Sequence, residues 1–585
     1  NDGGIRWLCA APDGRHARLC DAPGDGWRLT VYRAGFTTPA WFRTGVMYQI
    51  FPDRFARDSS ATAQRGMEHH RRMGQTVHCH AGWDEPVEWQ ANTPEGEYAP
   101  VDFYGGTLRG IADRLHYLQK LGVTVLYLNP IFESASNHRY DTGDYRKVDP
   151  ILGTNADFKK LCAAAADCGI RIVLDGVFAH TGADSRYFNR FRHYPGCGAY
   201  NSHSSVYARW YSFAHYPDDY KCWWDFKGLP AVNAANPDWR KYMITGERSI
   251  VKTWLRDGAS GWRLDVADEL PDDVLRGMRS AAKETDPDSV LLGEVWEDAV
   301  TKVSYGERRQ YALGDALDSV MNYPLRDGLV AFLTGRSTAH ALADLLLSQR
   351  LNYPRPLYYA LMNLTASHDV ARTRSALALD FDPRSRTRAE LAALEITDAM
   401  AARGAQLQVL AAAVQFWLPG IPSIYYGDET GMQGLCDPFN RAPLQMCDTQ
   451  MLQWYAQLTA LRHAHPALTR GEVAVFAPAG DVLCVLRVIA DGRDAFGEEA
   501  EDEALLLIVN RAAHPVRCHV ELTCPGAGLC EETRLAFVRS EYDCAADCTD
   551  DTHIAIRDGV GAFDLPPHAA KIYRLENRHG TETGS

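Results

Sequence analysis

The sequence predicts an α/β fold in which a closed (β/α)8 TIM barrel carries a short inserted subdomain after its third strand and is followed by an antiparallel β-sandwich. Three observations lead to this prediction. Short apolar runs alternate with helical patterns from about residue 45 to 465. The runs are nearly continuous in apolar residues, as in parallel strands that are buried on both faces. There are eight of them, the number of strands in a β/α barrel.

Each of the eight runs has the composition of a buried strand, with β-branched and aromatic residues enriched between turn-forming residues. In chain order they are GVMYQIF (45–51), VTVLYLNPIF (123–132), IRIVLDGVF (170–178), GWRLDVAD (261–268), VLLGEVW (290–296), LDSVMNY (317–323), YYALMNL (358–364) and IPSIYYGDE (421–429). Helices are predicted in the gaps, where apolar residues recur at helical spacing. The predicted helices cover 107–122, 155–168, 238–256, 272–285, 388–416 and 449–464.

The barrel is predicted to occupy residues 41–466 and to contain one irregular gap. Residues 181–236 are rich in Tyr, His, Gly, Asn and Trp and have no sustained period. A structureless segment of that length inside a compact domain is unusual and is often functional. We therefore expect these residues to form a subdomain over the mouth of the barrel.

Different patterns flank the barrel. Residues 467–577 contain short alternating runs separated by turn residues, which predicts the β-sandwich, and residues 578–585 are expected to be a tail. Residues 1–40 contain one strand-like run, WRLTVYR at 27–33. We interpret residues 1–40 as the remnant of an N-terminal β domain or as a linker.

Charge and hydropathy exclude two classes of partner. The net charge is −14, with 75 acidic and 61 basic residues and no basic cluster, so nucleic acid is not expected to bind. No run of 18 apolar residues could span a membrane. The fifteen cysteines are scattered, which indicates reduced thiols in a cytoplasmic enzyme. One group could instead hold a metal or form a disulfide: Cys518, Cys524, Cys530, Cys544 and Cys548.

Polar residues finish several of the predicted strands. In a β/α barrel the active site lies at the carboxyl ends of the strands, so these residues are candidates for chemistry. Taken singly, each could be an ion pair, a helix cap or a buried histidine, but their coincidence at one end favours a site. The residues are Asp175, His180, Arg263, Asp265, Glu294, His368 and Asp369.

The three acids Asp265, Glu294 and Asp369 suit glycosidic cleavage, where one carboxyl group donates a proton and another attacks the anomeric carbon. Two-metal hydrolases also gather carboxylates, but they usually add more histidine ligands. The glycosidase interpretation is therefore the stronger one.

Longer stretches of the sequence resemble the α-amylase family of glycoside hydrolases. DGVFAH (175–180), GWRLDVADE (261–269), GEVW (293–296) and ASHD (366–369) are similar to its four ordered sequence regions. The similarity continues through YQIFPDRF (48–55), FYGGTLRGI (103–111), SNHRYDTGDYRKVDP (136–150), VMNYPLRD (320–327) and PGIPSIYYGDETGM (419–432). MNYP and DVADE most resemble the branch of neopullulanases, cyclomaltodextrinases and maltogenic amylases.

The resemblance implies a role for each residue. Asp265 would be the nucleophile, Glu294 the general acid and base, and Asp369 the group that stabilises the distorted transition state. Tyr140 would stack on the sugar, and Asp437 and Arg441, in DPFNR, would hold the next sugar along. The same subsite would be lined by Arg263, His180, His368 and Asp175.

The implied activity is a retaining double displacement on α-1,4 bonds, with α-1,6 bonds left open, in maltooligosaccharides, cyclodextrins, pullulan or starch. Its two central carboxyl groups would lie about 5 to 5.5 Å apart. Arg263 is expected to keep Asp265 ionised, and a nearby anion with an apolar wall to keep Glu294 protonated. The alternatives are a 4-α-glucanotransferase with the same site and an inactive amylase-like binding protein.

Two departures from the family pattern concern cofactor and assembly. Ala179 stands where many α-amylases have an asparagine that helps to bind calcium, so no metal is expected to be required and calcium is not supported. The N-terminal β domain that often mediates dimerisation in the branch is represented by one run only. Both a monomer and a homodimer therefore remain open.

Overall fold

The computed structural model describes residues 6–10, 17–24, 26, 29–94, 96–522, 533–537, 554–556 and 559–577. Its centre is an eight-stranded parallel sheet. The strands are β1 (Met47–Ile50), β2 (Val125–Leu128), β3 (Arg171–Gly176), β4 (Gly261–Leu264), β5 (Val290–Gly293), β6 (Ser319–Val320), β7 (Met362–Leu364) and β8 (Ile421–Tyr425). They pair in the order β6-β5-β4-β3-β2-β1-β8-β7, and a parallel bridge between Met321 and Met362 closes the ring. The predicted TIM barrel is confirmed.

The alternation of strand side chains builds two layers inside the barrel. The lower layer is apolar and includes Met47, Val125, Val173, Leu292, Met362 and Ile421. Two residues further along four of these strands stand Gln49, Tyr127, Asp175 and Glu294. Register places Gln49 beside Tyr127 and Arg263 beside Asp175. The polar layer at the carboxyl ends of the strands therefore follows from the two-residue period.

Helices surround the barrel, and they agree with most of the predicted ones. The longer helices of the barrel region are Thr62–Arg72, Leu108–Asp113, Leu115–Lys120, Asn155–Asp167, Ile250–Arg256, Asp272–Thr285, Tyr323–Leu333, Ala339–Asn352, Thr373–Ala378, Asp398–Trp417 and Thr449–Ala464. Shorter ones are Ala40–Arg43, Pro52–Phe55, Pro237–Arg240, Arg355–Tyr358, Arg388–Ala392 and Pro466–Arg470.

Some predicted helices are interrupted. The helix expected over 107–122 breaks at Arg114, and the one over 238–256 is split by a π-helical turn, Lys241–Thr245. The helix expected over 388–416 is two helices. Asn155–Asp167 begins at a capping box in which the side chains of Thr154 and Asp157 each accept from the backbone of the other.

Little regular structure occurs in residues 181–236. A small antiparallel pair, Phe213–His215 with Asp219–Tyr220, and two 3₁₀ turns, Ala208–Trp210 and Trp223–Asp225, are its described elements. A second antiparallel pair, Phe132–Ser134 with Thr142–Val148, follows β2. Both segments leave the barrel at the carboxyl ends of strands, and they therefore flank the polar layer.

The C-terminal region is the predicted β-sandwich. One sheet contains the antiparallel strands Glu472–Ala479, Val482–Ile489, Glu503–Asn510, Thr533–Phe537, Ile554–Ala555 and Ala569–Asn577, and the other contains Val516–Glu521 and Val560–Leu565. Cys484 and Ile508 from the first sheet share one apolar core with Val520 and Phe563 from the second. Cys524, Cys530, Cys544 and Cys548 lie outside the described residues, as does the tail at 578–585.

The strand predicted near the N-terminus is wrong for the residues that can be described, whereas the interpretation of residues 1–40 as a domain remnant or a linker stays a prediction. The strand expected at 27–33 is absent over 29–33, and residues 27–28 lie outside the described part. Leu29 and Val31 are exposed, and Thr30 donates to the carbonyl of Asn352 at 2.6 Å. Alternating residues form a strand only where a partner strand accepts their backbone hydrogen bonds, and this segment lies along the barrel instead. The hairpin in this region is Trp7–Ala10 with Ala17–Cys20.

Candidate active site

Arg263 is the centre of the site at the carboxyl ends of the barrel strands. Its side chain is fully buried, and its Nη1 lies 3.0 Å from Asp175 Oδ1 and 2.9 Å from Asp265 Oδ1. Its Nη2 lies 2.9 Å from Glu294 Oε2. One guanidinium group therefore contacts carboxylates from β3, from the end of β4 and from the end of β5. These three strands are hydrogen-bonded neighbours in the barrel sheet, which brings the carboxylates together.

A chain of hydrogen bonds extends from Asp175 across the barrel. Tyr127 and Tyr140 both donate to Asp175 Oδ2, at 2.6 and 2.8 Å. The Tyr140 hydroxyl also lies 2.6 Å from His368 Nε2, and Gln49 Nε2 lies 2.9 Å from His368 Nδ1. This chain fixes the ring of Tyr140 and links β1, β2 and β3 to the segment after β7.

Asp369 approaches the same ring nitrogen of His368 that Tyr140 contacts. Its Oδ2 is 3.2 Å from His368 Nε2, and its Oδ1 is 3.7 Å from Arg441 Nη2. Arg441 also pairs with Asp437 at 2.8 Å and donates from Nε to the carbonyl of His368. The residues of DPFNR are thus held against the third predicted carboxylate.

Glu294 is oriented by two donors that sequence reasoning did not identify. The backbone N–H of Val266 donates to Oε2 at 2.7 Å, and the indole N–H of Trp296 donates to Oε1 at 3.0 Å. Val266 adopts φ 39° and ψ 66°, a left-handed conformation that is a true outlier for a β-branched residue. Trp296 itself stacks on Tyr323 at 3.9 Å. The residue after the predicted nucleophile is therefore strained in the conformation that orients the predicted acid.

His180 and His368 are held neutral by burial. Burial lowers the pKa of His180 to about 4, and it lowers the pKa of His368 well below the usual value, where Arg441 and Arg263 add to the effect. His180 Nε2 lies 3.0 Å from the carbonyl of Tyr140. Its Nδ1 is buried and has no hydrogen-bond partner within the described residues. Because a carbonyl oxygen only accepts, Nε2 carries the proton of the neutral ring, and Nδ1 can accept a hydrogen bond from a sugar hydroxyl.

Burial raises the pKa of three carboxyl groups of the site, those of Asp175, Asp265 and Asp369. Burial raises the pKa of Asp265 well above its usual value, and Glu294 and Asp175 add to the rise, while Arg263 opposes it. Burial and the nearby Glu294 raise the pKa of Asp369 to about 7. The predicted contact between Arg263 and Asp265 is present, and it acts in the predicted direction, because Arg263 favours the ionised form of Asp265 against the effect of burial. Arg263 is shared among three carboxylates, so burial still outweighs its effect on the pKa values of Asp175 and Asp265.

All ten residues nominated from the sequence lie in one connected network. Its members are Asp265, Glu294, Asp369, Tyr140, Asp175, His180, Arg263, His368, Asp437 and Arg441. Gln49, Tyr127 and Asn129 also belong to it, since Asn129 donates to the Tyr140 hydroxyl at 2.9 Å. A signal for these three was available, because each is a polar or hydroxyl-bearing residue within an apolar strand run.

Asp268 and Glu269 follow the nucleophile region. Their carboxylates bind side chains from the segment after β5. The carboxylate of Asp268 lies 2.9 Å from Lys302 Nζ and accepts from the Tyr311 hydroxyl. Glu269 accepts from the hydroxyl of Tyr305, which is 74% exposed. Asp268 therefore positions the 302–311 segment, whereas Glu269 lies at the rim of the site.

The residues present do not fit the calcium ion that many α-amylases hold. Ala179 offers a methyl group where those proteins have an amide oxygen, and Asp58 is engaged by the backbone N–H and hydroxyl of Ser60. Over the part of the chain that the structure describes, no three His, Cys, Asp or Glu side chains come together as metal ligands. No step considered below uses a metal.

The closed barrel with a carboxylate-lined site at the carboxyl ends of its strands has the architecture of a β/α-barrel enzyme. Residues 49–445 match the alpha-amylase catalytic domain. The chain therefore belongs to the alpha-amylase family, as the sequence regions implied.

Individual relatives agree with this membership. An amylopullulanase of Thermoanaerobacterium thermosulfurigenes is 35% identical over 548 residues, covering 86% of this chain and 28% of the relative. A cyclomaltodextrinase of Geobacillus thermopakistaniensis is 32% identical over 489 residues, covering 82% of this chain and 70% of the relative. The solved cyclic α-maltosyl-(1→6)-maltose hydrolase of Arthrobacter globiformis, in complex with that cyclic sugar, has 27% identity and a TM-score of 0.67, covering 92% and 100% of the two chains.

Coverage of the amylopullulanases is partial. The chain spans between 28% and 41% of the length of three of them.

No helix in the described ranges is long and apolar enough to cross a membrane.

Proposed function

We propose that this protein is a retaining α-glucan hydrolase that cleaves α-1,4 glucosidic bonds, and α-1,6 bonds in branched or cyclic substrates, by double displacement. One observation carries the proposal: Asp265 and Glu294 share the guanidinium of Arg263, and Asp369 lies across the same polar layer. The names of relatives that are cyclomaltodextrinases, neopullulanases and amylopullulanases support the substrate class.

The proposed reaction has two steps. Asp265 attacks the anomeric carbon while Glu294 gives its proton to the departing glycosidic oxygen, which forms a covalent glucosyl ester and a free sugar. Glu294 then takes a proton from water, the water oxygen attacks the anomeric carbon, and Asp265 is released. Asp369 and the neutral His368 and His180 would bind hydroxyl groups of the distorted ring.

The hydrogen-bond donors around Glu294 suit its two roles, as general acid and as general base. The N–H groups of Val266 and Trp296 fix one orientation of the carboxyl group, so the same oxygens can serve the leaving group and the incoming water. Loss of the charge on Asp265 in the ester frees Arg263 for Glu294 and Asp175. The carboxylate of Glu294 that remains after the first step is then held by Arg263 and can take a proton from water in the second step.

Product analysis tests this proposal. The protein would be incubated with β-cyclodextrin, pullulan, starch and maltotriose, and the anomeric configuration at first release would be followed by NMR. We expect α-anomers from at least one substrate, and no products from the Asp265→Ala variant. A β-anomer at first release would contradict the double displacement, and products longer than the substrate would identify a 4-α-glucanotransferase instead.

We also propose that no metal is required. Activity that survives dialysis against EDTA is the expected result, since Ala179 and its surroundings supply too few oxygen ligands for calcium. Loss of activity that calcium restores would overturn this part of the proposal and leave the double displacement untouched.

A further inference from the structure

Two adjacent tryptophans form a ladder that leads from the active site to the surface. The ring of Trp223 lies 5.8 Å from the ring of His180, with an interplanar angle of 31°. Trp224 stacks on Trp223 at 5.2 Å and 18°. Exposure rises along the ladder, because His180 is buried, Trp223 is half-buried and Trp224 is 78% exposed. A tryptophan presented this openly beside a sugar site requires an explanation.

Packing does not provide that explanation for Trp224. Trp210, in the same inserted segment, is 2% exposed and stacks on Tyr187 at 5.4 Å, as a structural tryptophan does. Trp224 has its one described ring contact with Trp223. A large aromatic side chain normally stabilises a protein by leaving water, and Trp224 gains little in this way.

The backbone holds Trp224 in this position at a cost. Its φ is 47° and that of Asp225 is 60°, so two consecutive residues with side chains occupy the left-handed region. Such conformations persist only where the surroundings fix them, and they are concentrated at functional sites.

Anchors at the base of the loop fix this conformation. The N–H of Trp223 donates to the carbonyl of Leu229 at 2.9 Å, and Cys222 forms a β-bridge with Pro230. His180 is bridged in turn to Ala231, the next residue. The loop is therefore rigid and is tied directly to a residue of the active site.

We propose that Trp223 and Trp224 form a stacking platform for glucosyl units of an α-glucan that extend beyond the catalytic subsite. The flat, apolar faces of glucose rings match an exposed indole, and a pre-ordered platform loses little entropy when it binds them. This inference rests on the proposed function. It adds a preference for longer chains, which Trp224 would provide.

Binding and cleavage of maltoheptaose and maltotriose test the platform. For Trp224→Ala we expect kcat/KM for maltoheptaose, divided by that for maltotriose, to fall about tenfold, which corresponds to about 1.4 kcal/mol. Trp224→Phe keeps an aromatic face and should lose less than about threefold. The matched control is Phe191→Ala, since Phe191 is also an exposed aromatic of the insert, at 55%, but its ring lies against His193.

An affinity measurement separates this inference from the proposed function. Isothermal titration in the Glu294→Gln background, which keeps the sugar intact, should show the same loss of maltoheptaose affinity for Trp224→Ala and an unchanged affinity for maltotriose. An unchanged ratio, or an equal fall in Phe191→Ala, would overturn the platform. If the unmodified protein cleaves no glucan, the proposed function fails, while the affinity ratio still decides whether the platform exists.

Discussion

Two buried arginines lie at opposite ends of the barrel, and different groups replace the water that each loses on burial. Arg263, at the carboxyl ends of the strands, is surrounded by three carboxylates. Arg462, from helix Thr449–Ala464, contacts the amino ends, because it donates to the carbonyls of residues just before β1 and β8. Its acceptors are the carbonyl oxygens of Arg43, Gly45, Phe416, Gly420 and Leu468.

The pKa values show what each arrangement achieves. Burial lowers the pKa of Arg462 to about 9, and the nearby Arg487 adds to the effect. The carboxylates around Arg263 raise its pKa well above the usual value. Carbonyl oxygens satisfy the donors of Arg462 and bring no charge that could react. The carboxyl end thus concentrates reactive charge and the amino end joins segments, as is general for β/α barrels.

Removal of the predicted nucleophile at the carboxyl end should have the largest effect of the variants considered. It should lower kcat without lowering stability. We expect Asp265→Asn to lower kcat by on the order of 10⁴-fold, because no covalent intermediate can form. Thermal unfolding of the variant should occur at or above the wild-type temperature, since a buried carboxylate with a raised pKa has been removed. Activity above about one percent of wild type would assign the nucleophile to another residue.

Arg462→Met should produce the opposite result at the amino end. Five carbonyl oxygens would lose their donor in a buried position, which we expect to cost about 4 kcal/mol of folding stability. The kcat of the folded fraction, measured well below the unfolding temperature, should stay within about twofold of wild type. Arg462→Lys keeps the charge but only three donors, so its unfolding temperature should lie between the two. A large loss of kcat without destabilisation would show that the two ends are coupled.

The same contrast explains how much of the site could be predicted. Arg263, Asp265 and Glu294 interrupt apolar runs at a strand end, and a two-residue period then decides which side chains share the barrel interior. The left-handed backbone of Val266 gave no signal, because strain at a valine is imposed by its surroundings. The balance of burial against ion pairing at Asp265 also depends on distances that no sequence pattern contains.

Helices were missed where local patterns overlapped or were weak. The predicted strand over 317–323 is only Ser319–Val320, since Asn322 caps helix Tyr323–Leu333 and the two elements share one apolar run. Helix Thr62–Arg72 buries only Gly66, Met67 and His70, so its helical period is hard to detect.

The buried carboxyl group of Asp369 should make the folding stability of the protein depend on pH. An unfolded aspartate titrates near 3.9, whereas burial raises the pKa of folded Asp369 to about 7. Between these values the folded state holds a proton that the unfolded state has released, so wild-type stability falls as pH rises. Asp369→Asn lacks this loss and should be more stable by about 4 kcal/mol at pH 8.

Unfolding temperatures of wild type and Asp369→Asn at several pH values check this prediction. The difference in unfolding temperature between the two proteins should be near zero at pH 4, increase toward pH 7 and stay constant above it. Arg462→Lys provides the comparison from the other end, because no acid lies among the contacts of Arg462 described here. A difference that does not depend on pH would mean that Asp369 is ionised throughout.

Trp296→Phe should have the smallest effect. Phenylalanine keeps a flat ring against Tyr323 and removes only the indole N–H that donates to Glu294. Because the N–H of Val266 and Arg263 still hold Glu294, we expect kcat to fall by about tenfold, or about 1.4 kcal/mol, with KM within about twofold. A matched fall in kcat and rise in KM would instead place Trp296 in substrate binding. The separate effects on kcat and on KM thus show how far catalysis by Glu294 depends on the N–H of Trp296, which is itself partly exposed.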